Sequence, residues 1–317
     1  MPPRRHPFAD LSIGEHLHGF VPPAPSFQVP VSVTPMRLVT FRDPHGSARV
    51  GRLDRDGDDA RVVELTAPTM LDWLRGDGHE PAGRDHALAD VRLLAPVPEP
   101  PSVRDFYAYE GHVATGSRLR GGEIPEAWYE APVFYFSNPA SIQGPREPVR
   151  RPAHCQWLDF ELEIAAVIGE DAEIAGYTLL NDWSARDIQR QEMTVGLGPA
   201  KGKDFATSIG PWLVTPDELP ISDGRLQLTA TTTLGDREIT SSEAGAMHWS
   251  WPQLVAYAAR ETQLRPGDIL GSGTLNRGCL LELNADGGID GEVRWLAPGD
   301  TVTISAPGLG SLSAPIV

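Results

Sequence analysis

The sequence predicts an α+β protein, mainly β, with a small β domain ahead of a larger one. Three observations carry this expectation. Short runs of alternating apolar and polar residues outnumber helix-length patterns. The runs are repeatedly broken by Gly, Pro or Asp, the residues that turns require. Four prolines in the span VRLLAPVPEPPSVRD, where each disfavours helix in the residue before it, mark a connection between two units.

Taken in order, residues 1–35 hold eight prolines, including VPPAP, and little amphipathic periodicity, so they read as a proline-rich arm without chemistry of its own. Residues 36–95 form the small domain: MRLVTF, RVGRLDRDG and ARVVELTAP are strand-like, and TMLDWLRG is a short helix. Residues 100–317 form the larger domain. Strands are expected at PVFYFS, LDFELEIAAVIG, YTLLNDW, GPWLVT and RLQLTATTTL, and helices at SARDIQRQE and WPQLVAYAARET. The closing run PGDTVTISAPGLGSLSAPIV has the pattern of a β-hairpin.

Bulk properties narrow the function. Two cysteines, Cys155 and Cys279, are too few for a disulfide framework or a cysteine-rich zinc site. No stretch approaches the roughly 20 apolar residues of a membrane helix, and the N-terminal basic residues precede no apolar run, so the expected location is cytoplasmic. A net charge of -16 without a compact basic run argues against nucleic acid as a partner. The same field repels an acidic substrate, so an enzyme for such substrates needs a local cation or particular Arg and Lys residues.

Four segments carry residues capable of chemistry. In LDFELEIAAVIG, strand alternation puts Leu158, Phe160, Leu162 and Ile164 on one face and Asp159, Glu161, Glu163 and Ala165 on the other. Neighbouring glutamates in an apolar strand repel unless a cation or a proton relieves them, although a solvated acidic face explains them equally well. Asp182 in NDWSARDIQRQE falls where a strand passes into a helix, with Arg186 and Gln189 on one helix face; a helix N-cap accounts for it in isolation. Lys201 and Lys203 in GPAKGKDFATSIGPW sit among glycines within reach of an anion, but the spacing is not that of a phosphate-binding loop. In RDFYAYEGHV an acid, an aromatic ring and His112 lie close together.

Together and in order, DFYAYEGH, PVFYFSNP, LDFELEIA, NDWSARDIQ, GKDFATSIGPW, GSGTLNRG and GDTVTISAPGLGSL resemble the fumarylacetoacetate hydrolase family over residues 100–317. Residues 36–95 bear a weaker likeness to that family's small N-terminal domain, and the C-terminal half is similar to its shorter bacterial members. The resemblance implies a mixed β-sandwich or β-roll catalytic domain, a homodimer, and a divalent cation: Mg2+, with Ca2+ or Mn2+ as alternatives. The ligands it implies are Asp105, Glu161, Glu163 and Asp182, an all-oxygen set suited to hard ions. It further implies His112 as general base, oriented by Glu282 in CLLELN; Arg186, Gln189 and Lys203 as oxyanion and leaving-group contacts; and Tyr107, Tyr135 and Thr274 as substrate contacts.

The reaction so implied is metal-dependent hydrolysis of a carbon–carbon bond in a small 1,3-diketo acid of the fumarylacetoacetate or acylpyruvate kind. Decarboxylases, hydratases and keto-enol isomerases share the fold and stand as the alternative. A non-catalytic member stabilised by its ion is a more distant one, which needs neither His112 nor Glu282. After His112, the loop VATGSRLRGGEIPEAWYE offers Arg118 and Arg120, either able to meet a substrate carboxylate.

Overall fold

The computed structural model describes residues 36–54 and 60–317; the proline-rich arm expected at 1–35 lies outside them. Most of the described chain is organised by one twelve-stranded mixed sheet. Along its main path the strands run Pro81–Ala87, Arg61–Leu65, Ala48–Leu53, Arg37–Arg42, Thr207–Val214, Ile174–Asp182, Leu162–Ile168, Ile269–Gly271, Val103–Phe106 and Phe134–Ser137. Neighbours are antiparallel except Ile269–Gly271 beside Val103–Phe106, while Ile142–Gln143 adds a parallel contact to Thr207–Val214. The strands before residue 96 therefore join those after 102 without a break, Arg37 and Leu38 pairing with Val214 and Leu213.

A second, four-stranded antiparallel sheet runs Arg237–Glu243, Thr229–Leu234, Thr301–Ala306, Gly310–Pro315. Its last pair is the closing hairpin expected from the sequence. Val302, Ile304, Leu312 and Ala314 pack in one core cluster with Leu162, Ile164 and Leu179 of the large sheet, which makes the sandwich. Helix Trp251–Ala259 joins that cluster through Trp251, Leu254, Val255 and Ala258, its start fixed by a Ser250–Gln253 capping box. On the other face, Met70, Trp73 and Leu74 of the short helix Met70–Leu74 cover Val167, Leu180 and Leu213.

Strand Leu162–Ile168 is buried along its whole length. Leu162, Ile164, Ala166 and Ile168 face the inter-sheet core, and Ala165 and Val167 face the other. The expected alternation of LDFELEIA is thus present, but not as one strand: Leu158–Asp159 pairs with Ser184–Ala185, and the long ladder begins at Leu162. Desolvating one carboxylate costs several kcal/mol. A buried Leu or Ile returns about 1.5–3 kcal/mol, so Glu163 in this strand must be compensated by groups beside it.

Two helices near the site were not anticipated. Glu110–Leu119 and Leu280–Ala285 pack against each other and carry His112 and Glu282. Glycines at 111 and 116 hide the first from a periodicity reading, and the second is only six residues long.

Candidate active site

The large sheet brings four acids from three separated stretches of chain to one point. Asp105 lies near the end of Val103–Phe106, Glu161 and Glu163 flank the start of Leu162–Ile168, and Asp182 ends Ile174–Asp182. One carboxylate oxygen from each lies within 4.8 Å of the others, and all four side chains are buried. Asp182 is therefore no helix cap: the helix Arg186–Met193 begins later, with Ala185 at its N-cap position.

Glycine makes this convergence possible. A Cβ on Gly271, in the strand between the acid-bearing ones, would stand 2.4 Å from Asp105 Oδ1 and 3.1 Å from Glu163 Oε2. At Gly273, φ is +79°, and its N–H donates to Asp105 Oδ1 at 3.2 Å.

Cations balance one side of the cluster. Lys203 Nζ donates to Asp182 Oδ2 at 2.5 Å and to Glu161, and Arg186 Nη2 lies 2.7 Å from Glu161 Oε1. Burial works to raise the pKa of Glu161, but the charges of Arg186 and Lys203 outweigh it and hold this carboxyl below the ordinary range. In the other three, burial outweighs the cations. Burial, reinforced by the charge of Asp182, pushes Asp105 well above the ordinary range, and burial with the charge of Asp105 does the same to Glu163. Burial raises Asp182 as well, against the pull of Lys203.

Glu163 Oε2 and Asp182 Oδ1 are buried with no hydrogen-bond partner among the described residues. Orphaned oxygens in a pool of excess negative charge fit a hard divalent cation, which takes oxygen ligands and supplies the missing charge.

The remaining predicted residues surround the quartet. Tyr135 donates its hydroxyl to Asp182 Oδ2 at 2.5 Å, and Thr274 Oγ1 lies 3.5 Å from Glu163 Oε1. Arg186 donates from Nε to Asp159 Oδ2 at 2.8 Å and from Nη1 to Gln189 Oε1 at 3.2 Å. A cleft of about 300 Å³ lined by Tyr135, Phe136, Asn138, Pro199 and Lys203 opens onto this side. Lys201, by contrast, is exposed and pairs with Asp204 at 2.7 Å.

His112 and Glu282 meet at 2.8 Å between Nδ1 and Oε2, both buried. Glu282 Oε1 accepts from the Arg277 amide at 3.0 Å. Burial tends to raise the pKa of Glu282, but the facing His112 lowers it overall, so the carboxylate form is favoured. Tyr107 packs edge-on against the His112 ring, with centroids 5.4 Å apart. The pair adjoins the quartet through the backbone, since Glu161 forms a β-bridge with Cys279. Arg118 and Arg120 diverge: Arg118 lies 3.7 Å from Asp286, whereas the Arg120 guanidinium converges with the Tyr107 hydroxyl over Gly116.

Three neighbours escaped the sequence reading. Asp159, on the acidic face of the alternation, takes Arg186 and also accepts the amides of Leu280 at 2.7 Å and Leu281 at 3.0 Å, capping the helix that carries Glu282. Asn181 accepts the Glu161 amide at 3.0 Å. Cys279 places Sγ 3.3 Å from Glu282 Oε2. Only Asp159 had a local signal, its place in the Asp159–Glu161–Glu163 alternation.

Residues 102–317 match the family model for the fumarylacetoacetate (FAA) hydrolase C-terminal domain, and residues 36–96 match the model described as Rv2993c-like, N-terminal. Over 289 residues the chain is 32% identical to a fumarylacetoacetase of Arabidopsis thaliana, an alignment covering 69% of this chain and 68% of that protein. It superposes on a 5-carboxymethyl-2-hydroxymuconate delta-isomerase from Mycobacterium smegmatis with TM-score 0.68 at 30% identity, covering 89% of this chain and 99% of that one. A 2-hydroxyhepta-2,4-diene-1,7-dioate isomerase from Mycobacterium marinum gives TM-score 0.67 at 27% identity, with 89% and 98% covered.

Proposed function

We propose, from the premise that this chain belongs to the fumarylacetoacetate hydrolase family, that it is a metal-dependent hydrolase cleaving a carbon–carbon bond in a small 1,3-diketo acid. The observation that carries the proposal is the junction of two units: a buried oxygen quartet and, one β-bridge away, a His–Glu pair. Asp105, Glu161, Glu163 and Asp182 would hold the cation, with Mg2+ as the first candidate and Ca2+ or Mn2+ as alternatives. When bound, the cation would supply Lewis-acid stabilisation of negative charge on the substrate's oxygens.

The chain's own residues then divide the remaining work. His112, whose Nδ1 is engaged by Glu282, has Nε2 left to take a proton from water, and the carboxylate stabilises the imidazolium that results. Arg186, Gln189 and Lys203 would stabilise the oxyanion formed as hydroxide adds to a carbonyl; one such donor is typically worth about 2.7–4 kcal/mol in the barrier. Tyr107, Tyr135 and Thr274 would orient the substrate. Of the two arginines at the end of helix Glu110–Leu119, Arg120 is assigned to the substrate carboxylate because its guanidinium stands beside Tyr107, whereas Arg118 is turned toward Asp286. Arg120→Met should raise KM with little change in kcat and Arg118→Met should do neither; equal effects from both would refute the assignment.

A second reading has its own support: the M. smegmatis isomerase matches along 89% of this chain. There the His112–Glu282 pair would move a proton between carbons or onto an enolate without cleavage. The experiment is a panel of acylpyruvates and fumarylacetoacetate-like acids, incubated with metal-stripped protein with and without added Mg2+, Mn2+ or Ca2+, with products identified by mass. Metal-dependent appearance of two smaller acids supports hydrolysis, and loss of the enol without cleavage supports isomerisation. His112→Ala should lower turnover by about two to four orders of magnitude while calorimetric metal binding persists; full activity in that variant excludes His112 as the base.

A further inference from the structure

Beyond the carboxylate quartet, the described residues hold one other cluster of metal-capable side chains: His112, Cys279 and Glu282, all buried. Its donors differ in kind. The quartet is all oxygen, whereas this trio offers imidazole nitrogen, sulfur and one carboxylate oxygen, a set that favours borderline and soft ions over Mg2+ or Ca2+.

The spacing also fits. His112 Nδ1 to Glu282 Oε2 is 2.8 Å, Cys279 Sγ to Glu282 Oε2 is 3.3 Å, and Cys279 Sγ to His112 Nδ1 is 3.9 Å. Zinc bonded tetrahedrally to N, O and S at its usual distances needs donor separations of about 3.4–3.6 Å. Shifts of about half an ångström therefore convert the trio into three corners of a tetrahedron, with the fourth left for water. The trio is also held from outside: Arg277 N–H fixes the other oxygen of Glu282, and Cys279 is bridged to the Glu161 backbone.

We infer that His112, Cys279 and Glu282 form a second metal site, selective for Zn2+-like ions, whose occupation silences His112. On binding, the Cys279 thiol gives its proton to solvent and the sulfur becomes a thiolate ligand. His112 coordinates through Nδ1 and carries its remaining proton on Nε2, which then has no lone pair with which to accept one from water. The inhibitory consequence rests on His112 being the base proposed above; the binding itself does not.

The test uses the full chain saturated with Mg2+ and titrated with Co2+ as a coloured stand-in for Zn2+. A sulfur-to-cobalt charge-transfer band that saturates near about one equivalent per chain is expected. It should persist in Cys155→Ser, disappear in Cys279→Ser, weaken in His112→Ala, and be displaced by Zn2+. Absence of the band in the wild type, or its survival in Cys279→Ser, overturns the site. Turnover is read separately: Zn2+ should inhibit the wild type, and Cys279→Ser should require on the order of tenfold more Zn2+; equal sensitivity overturns the inhibitory role. A protein with the band but no turnover of any keto acid keeps this site and loses the hydrolase reading together with the inhibitory role that rests on it.

Discussion

Lys203 shows how much a single side chain decides. Its ammonium lies in the same contact shell as Glu161 and Asp182, so without a divalent ion it is one of the two cations that compensate the quartet. Removing one partner of a buried ion pair typically costs about 3–5 kcal/mol, because the other charge stays buried. Lys203→Met should therefore lower the melting temperature of the metal-free protein clearly, and saturating metal should recover more of the loss in the variant than it adds to the wild type. An unchanged metal-free melting curve would mean that Lys203 does not compensate these acids. His248 is a contrasting case. It packs against Trp128, Tyr129 and Trp249, and its amide donates to Ala108 O at 2.8 Å.

At the scale of elements, the site depends on strands that could approach only because one of them is nearly bare. Ile269–Gly271 lies between Leu162–Ile168 and Val103–Phe106, and its last residue faces two of the acids. Gly271→Ala would drive a methyl group into Asp105. The expected result is a fold retained by circular dichroism with metal affinity reduced by about 10–100-fold, the usual scale for disturbing the surroundings of a ligand; wild-type affinity would show that Asp105 is dispensable for binding.

Much of this level was legible in the sequence. Period-two alternation in LDFELEIA, the terminal acid of YTLLND and the closing hairpin are local signals, and all three appear in the fold, the first split into two strands. What stayed hidden was long-range. Asp159 reaches helix Leu280–Ala285 from 121 residues away, and no pattern within a strand announces that partner. The choice between Arg118 and Arg120 depended on a helix whose two glycines mask its periodicity, and the company of Cys279 on a six-residue helix and a single β-bridge.

At the scale of the molecule, the boundary suggested by prolines and the continuity of the sheet pull in different directions. Family models divide the chain between residues 96 and 102, yet Arg37–Arg42 is hydrogen-bonded to Thr207–Val214, which in turn pairs with the strand that ends at Asp182. Residues 36–96 therefore act as a cover as well as a neighbour. A chain begun at residue 100 would keep every proposed catalytic side chain but uncover the Leu213–Val214 end of Thr207–Val214, leaving backbone groups unpaired beside these two apolar residues. Such a fragment should self-associate in light scattering, and a lone Glu or Lys placed outward on that strand should restrain it; a monodisperse, active fragment would show that the early strands are ornamental. Residues 36–96, which hold none of the proposed catalytic side chains, are in this view a guard against the molecule's own stickiness.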